Sequence, residues 1–312
     1  STDLLRPPPR AVLSATRSSV TDLWRPVATG AYRDLRRPRT ASAPKSVPRT
    51  TFDPTLAENI ADPYPELLRI REHPVVVNER LGVWMMGRYE DVHKAVRNNE
   101  VFSSRDGIML RSFVTSAVLT TDPPDHTRLR HLTAPMFSKR SVQTLATDIR
   151  ALSDEAIRPL RDGDVIDMVA ALTIPMPINV IATILGIPHP QWPAFRTVSN
   201  KFARLFGPRS VHEVMRYVGS LLQSYVQMRS FIDVEMGRRS STSADDLLGW
   251  LQAAKESGEL SDQEAFFYAL ILLVAGNETT TNLLGMLLVR LAEDREFFLT
   301  LKADRSLLRP AV

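Results

Sequence analysis

The longest apolar pattern in the chain runs from residue 261 to 293. It opens on Ser261-Asp262-Gln263-Glu264. That is a capping box, in which the serine oxygen and the glutamate carboxylate satisfy free N–H groups at a helix start. AFFYALILLVAGNETTTNLLGMLLVRLAED follows without a proline, which predicts one helix of about 50 Å. Its first half is apolar on all sides, so it is expected to run through the middle of the protein. The polar insert Gly276-Asn277-Glu278-Thr279-Thr280-Thr281 interrupts that rod. A glycine and a carboxylate in a buried helix are costly unless partnered. Two readings fit. Glu278 and Thr279 form a proton relay to something held against the helix, with Gly276 allowing the backbone to open or a ligand to approach. Alternatively, the threonines face another helix and Glu278 sits in a salt bridge.

Other segments read less sharply. Residues 65–72 predict a short helix. Residues 73–88 hold Val75-Val76-Val77, then Leu81-Gly82, then Val83-Trp84-Met85-Met86, the pattern of a β-hairpin. Residues 89–99 are helical again, with Val92, Ala95 and Val96 on one face. Residues 101–121 show weak periodicity and predict a long loop. From Asp125 onward nearly every segment reads as helix. Residues 168–188 carry no charge and imitate a membrane span, which needs about 20 such residues. Pro175, Pro177 and Asn179 break that run, so buried core helices are expected there. The fold class is mostly α, with a small β-sheet on the N-terminal side.

Composition changes the picture at one end. The chain has 312 residues, a net charge of +4 and no cysteine. Zero cysteine excludes disulfides, thiolate metal sites and cysteine nucleophiles within these residues. Residues 1–50 hold nine arginines, one lysine and three aspartates, a net +7, together with seven of the 22 prolines. They read as a basic, Pro/Arg/Ser-rich extension, expected to be disordered. A solvated tail, a targeting peptide and a basic arm for an acidic partner all fit it. Because the basic charge is confined to one end, nucleic-acid binding is not implied. A helical DNA-binding protein is disfavoured further by the lack of a helix-turn-helix pattern.

A second motif lies at Asp122-Pro123-Pro124-Asp125, a turn before a helix start. His126 and Arg130 sit four apart on one helical face, flanked by Arg128 and His131. Two cations on one face suit a carboxylate or phosphate partner. A solvated basic helix surface is the plainer alternative.

DPPDHTRLRHL, then Phe137-Ser138-Lys139-Arg140, then AGNETT about 150 residues later, resembles the cytochrome P450 family in its soluble bacterial form. PVVVNERLGVWMMGRYEDVHKAVRNNEVFSS is similar to that family's first hairpin and following helix, and VAALTIPMPINVIATILGIP to an apolar helix in mid-fold. The likeness covers residues 51–312, a partial cytochrome P450 domain. It implies a P450-like helical fold, truncated after the long central helix. It further implies that His126 and Arg130 hold a heme propionate, and that Ala275 and Gly276 lie over the heme iron where dioxygen binds. On the same basis Glu278 and Thr279 are the acid and alcohol that deliver protons, through an opening in the helix. Phe102, Ile108, Met109 and Phe113 match a variable region that lines the substrate pocket.

The activity so implied is that of an oxidoreductase, a monooxygenase inserting one atom of O2 into a small organic substrate. Its electrons come from a ferredoxin or flavoprotein donor, and it works in the bacterial cytoplasm without a membrane span. The family's cysteine ligand to iron has no counterpart here, nor does the Glu-x-x-Arg helix before it. Glu66 to Arg69, Glu155 to Arg158 and Glu213 to Arg216 match that string, but too early in the chain. No histidine falls at the ligand position. The expectation is therefore a fragment that binds heme weakly or not at all and is inactive alone. The alternative is a non-catalytic, cysteine-less helper protein of a partner enzyme.

Overall fold

The computed structural model describes residues 43–54, 56–105, 118–160, 163, 165–203, 211–239 and 246–311, without the side chains of 201–222 and 274. These residues form two compact units, one mainly from 43–132, the other mainly from 133–203 and 215–311.

The first unit is built on a three-stranded sheet. Strand β1 (Arg49–Thr50) lies parallel to β2 (Val76–Asn78), and β2 pairs antiparallel with β3 (Val83–Met85). The predicted hairpin is present, turning through Gly82 at a φ of 68°. Strand β1 lies within residues 1–50, where the sequence predicts a disordered extension. Its two residues carry no period that could reveal it. Val76 and Val77 are buried, and Phe52, Ile70 and Val76 form a small core. Asn78 is fully buried and holds the corner: its Nδ2 donates to the Phe52 carbonyl and its Oδ1 accepts from the Leu81 N–H. Among the described residues four α-helices join this unit: α1 (Ala57–Ala61), α2 (Tyr64–Arg71), α3 (Tyr89–Ala95) and α4 (Asp125–Thr133). On α3 the expected apolar face is only partly used. Ala95 is buried, whereas Val92 and Val96 are exposed.

The second unit is helical: α5 (Lys139–Thr144), α6 (Ala146–Ile157), α7 (Pro175–Leu185), α8 (Trp192–Ala203), α9 (Val211–Gly237), α10 (Leu247–Glu256), α11 (Asp262–Glu293), α12 (Arg295–Ala303) and α13 (Leu308–Ala311). Helix α11 matches its predicted span, and the Ser261–Glu264 capping box is formed. Residues Ala265 to Leu270 are all buried, as an all-apolar half-helix requires. Among the described residues α11 alone is long and apolar enough to cross a membrane by length and composition.

Helix α7 is the main partner of α11 and also packs on α6, α8 and α10. Its buried residues Ile178, Ile181, Ala182 and Leu185 follow helical spacing. A π-helical turn, Val169–Thr173, precedes it and closes with the Ile174 N–H on the Val169 carbonyl. The prolines explain the irregularity: neither Pro175 nor Pro177 can donate to a continuing ladder. Helix α7 ends at Gly186 in a Schellman turn. Ile187 N–H bonds the Ala182 carbonyl, Gly186 N–H bonds the Thr183 carbonyl, and Gly186 takes a φ of 73°.

Charged groups tie α9 to its neighbours. Arg239 pairs with Asp246, reaches Glu235, and donates to the Gly186 carbonyl at 2.6 Å. Asp246 also caps α10 through the Gly249 N–H. Arg229 pairs with Asp233 and Asp262 and lies 4.7 Å above the Phe266 ring. Burial raises the Asp233 carboxyl despite Arg229. Burial also opposes ionisation of Asp262, but Lys255 and Arg229 hold that carboxyl below its usual range.

Thr173 is fully buried, and its hydroxyl has no hydrogen-bond partner. Replacing a stranded hydroxyl by a methyl group of the same shape removes a desolvation cost. Thr173→Val is therefore expected to keep or raise the urea midpoint. A loss above about 1 kcal/mol would show that the hydroxyl is bonded in solution.

Candidate functional site

The polar insert occupies the middle of α11. The helix runs through it without a break, so the expected opening at Gly276 is not present. The structure gives Gly276 a packing reason instead. A Cβ there would sit 3.0 Å from Ile181 Cδ1 and 3.3 Å from its Cγ1, so glycine lets α7 come close. Asn277 is buried, whereas Ala275, Glu278 and Thr279 are exposed. The expectation of a buried carboxylate is thus corrected. At 100° per residue, 277 and 281 share the face toward α7 and its π-turn, and 278 and 279 turn away from it. Thr279 Oγ1 donates to the Ala275 carbonyl at 2.5 Å, one turn back along its own helix. This bond ties the predicted alcohol to the backbone of a predicted cofactor-facing residue.

In the other unit, His126 and Arg130 both lie on α4 and are one turn apart. His126 is half-buried and Arg130 is exposed; Leu129 and Thr133 supply the buried face. Asp122 organises the helix entry. It accepts from the Ser103 hydroxyl at 2.5 Å and the Ser104 N–H at 2.9 Å, and pairs with Arg105 at 3.4 Å. The Ser103 bond first, then the Ser104 bond, hold its carboxyl below the usual value of 3.8 against the opposing effect of burial, with lesser help from Arg105 and His126. Sequence reasoning placed Asp122 only in a turn. Nothing local marks Ser103, 19 residues earlier, as its partner.

A depressed carboxylate stabilises the fold above its unfolded pKa and loses that contribution as pH falls through the folded value. The tie between residues 103–105 and α4 is thus complete at neutral pH, begins to lose its stabilising share below the ordinary value of 3.8, and is released only as pH falls through the lower folded value. Ser103→Ala is expected to move the Asp122 carboxyl midpoint upward, as followed by carbon-13 NMR. An unmoved midpoint would remove the Ser103 bond as its main cause.

Of the substrate-pocket candidates, Phe102 lies at the edge of the described segment and is 48% exposed. Ile108, Met109 and Phe113 lie outside the described residues.

No family model matches the chain. Named relatives do. The chain is 32% identical over 245 residues to the beta-dihydromenaquinone-9 omega-hydroxylase of Mycobacterium tuberculosis, covering 78% of this chain and 49% of that protein. It is 30% identical over 281 residues to cytochrome P450 107B1 of Saccharopolyspora erythraea, covering 84% and 66%. Among solved structures, CalO2 superposes with a TM-score of 0.73 at 26% identity, over 83% of this chain and 67% of that one. Cytochrome P450 CYP109Q5 from Chondromyces apiculatus gives 0.69 at 29% identity, over 82% and 65%. The chain belongs to the cytochrome P450 family. It spans between about half and two thirds of the length of the curated P450s it matches.

The P450 cofactor is heme held by a cysteine thiolate. The donor set of this chain does not complete that site. It contains no cysteine, and no group of three metal-ligating side chains occurs among the described residues. His126 and Arg130 have the chemistry to meet a propionate, and α11 carries the family's polar insert. An axial thiolate ligand is not supplied by these 312 residues.

Proposed function

We propose that this chain is part of a heme-thiolate monooxygenase that inserts one atom of O2 into an apolar or amphipathic organic substrate. Electrons would come from a ferredoxin or flavoprotein donor. In this reading Glu278 and Thr279 handle protons beside the heme, Ala275 and Gly276 line its oxygen-binding side, and His126 and Arg130 hold a propionate. Phe102, Ile108, Met109 and Phe113 belong to the substrate-facing segment, residues 1–50 to a basic extension, and α11 is a core helix of a cytoplasmic protein. The observation that carries the proposal is the identity to named P450s across about four fifths of the chain, with Gly276-Asn277-Glu278-Thr279 intact.

On this proposal the 312 residues alone do not catalyse oxygenation, for want of the thiolate. The test compares this chain with the complete gene product, each supplied with heme, a ferredoxin and its reductase, and a panel of apolar substrates. Oxygenated product from the complete gene product, and none from this chain, supports the proposal. The missing cysteine favours the helper reading in one respect, and that reading has its own signature. No product from either sample, with tight association to a partner enzyme, would replace the monooxygenase by a helper.

A further inference from the structure

Pro177 leaves a gap in the backbone accounting of the second unit. In an unbroken i→i−4 ladder, the N–H at position 177 would bond the Thr173 carbonyl, and proline has no N–H. Thr173 is fully buried, so its carbonyl has no access to water. A buried carbonyl without a donor is costly. The donor comes from another helix: Thr281 Oγ1 of α11 donates to the Thr173 carbonyl at 3.0 Å, across 108 residues of sequence.

Thr281 had a local alternative. A helical threonine can return its hydroxyl to the carbonyl four residues back, and Thr279 does so. Thr281 spends its single proton on Thr173 instead. Its other neighbour is Asn277 Oδ1 at 3.4 Å, too long to compete.

We infer that Thr281 is a positioning residue: its hydroxyl stands in for the donor that Pro177 lacks, and thereby sets the register of α11 against the π-turn and α7. The residues fixed by this latch include Glu278 and Thr279, one turn or less away. Its relevance to proton handling rests on the monooxygenase reading; the latch itself does not.

Hydrogen exchange on the full chain, without heme or substrate, tests the latch. Thr281→Val is expected to speed exchange of the α11 amides around residues 275–283 on the order of tenfold, with α9 and α10 unchanged. Thr281→Ser, which keeps the hydroxyl, restores the wild-type rates. In a Pro177→Ala background the helix regains its own donor, and Thr281→Val then has little further effect. That pair also serves if Thr281→Val alone fails to fold. Unchanged α11 exchange in Thr281→Val, or an equal effect in both backgrounds, overturns the latch. In the complete enzyme, product formed per O2 consumed separates positioning from scaffolding. A fall in Thr281→Val that Thr281→Ser rescues supports positioning. An unchanged ratio with altered exchange overturns the positioning role while leaving the latch.

Discussion

Gly186→Ala is expected to destabilise the second unit by about 3–5 kcal/mol. Two costs act together. Gly186 has a φ of 73°, where a side chain costs roughly 1–2 kcal/mol. A Cβ there would also overlap the Asp246 carboxylate, well inside van der Waals contact. Asp246 cannot move freely, because it caps α10 and pairs with Arg239 at 2.8 Å. The Arg239 side chain is only 11% exposed, so displacing its partner leaves a charge poorly solvated. Gly258 is the internal control. Its φ of 78° is similar, but a Cβ there meets nothing within 4 Å. Gly258→Ala is expected to cost only the backbone share, about 1–2 kcal/mol. Urea midpoints of the two variants decide the matter. Equal losses would show that the Asp246 overlap contributes nothing.

Heme added to this chain is expected to give no thiolate-ligated spectrum. The reduced carbon monoxide complex should lack the red-shifted Soret band that a thiolate ligand produces. With no cysteine in 312 residues, no refolding or pH change can supply that ligand. Affinity should also fall, and by more than the about 10–100-fold that loss of an outer-shell partner costs a metal site. A thiolate-type band from the purified 312-residue chain would overturn the donor-set reasoning outright. A weak histidine-type spectrum would not, since it reports a different ligand.

The parts of the fold legible in the sequence are those where one signal dominates. The capping box and the proline-free run located α11 to within a residue at its start. The hairpin was readable because β-branched runs flank Leu81-Gly82. Strand β1 was not, since two residues hold no period and their register with Val77 and Asn78 depends on a distant pairing. The polar insert was found by its cost in an apolar helix, but the exposure of Glu278 was misjudged. Periodicity ranks the faces of a helix; it does not say which packed element covers each face. Gly276 shows the same limit. Glycine is compatible with a backbone opening and with close approach alike, and only Ile181 decides between them. The Thr281–Thr173 bond joins positions 108 residues apart and leaves no local trace except the proline that creates the need.

The most direct test of the monooxygenase proposal is the intact mass of the native gene product from its source cells, together with a thiol count. A mass well above 35.0 kDa with at least one thiol is the expected result, since that polypeptide would carry the axial ligand this chain lacks. A mass of 35.0 kDa with no thiol would contradict it, because a P450-family chain without a cysteine thiolate would then be the whole product.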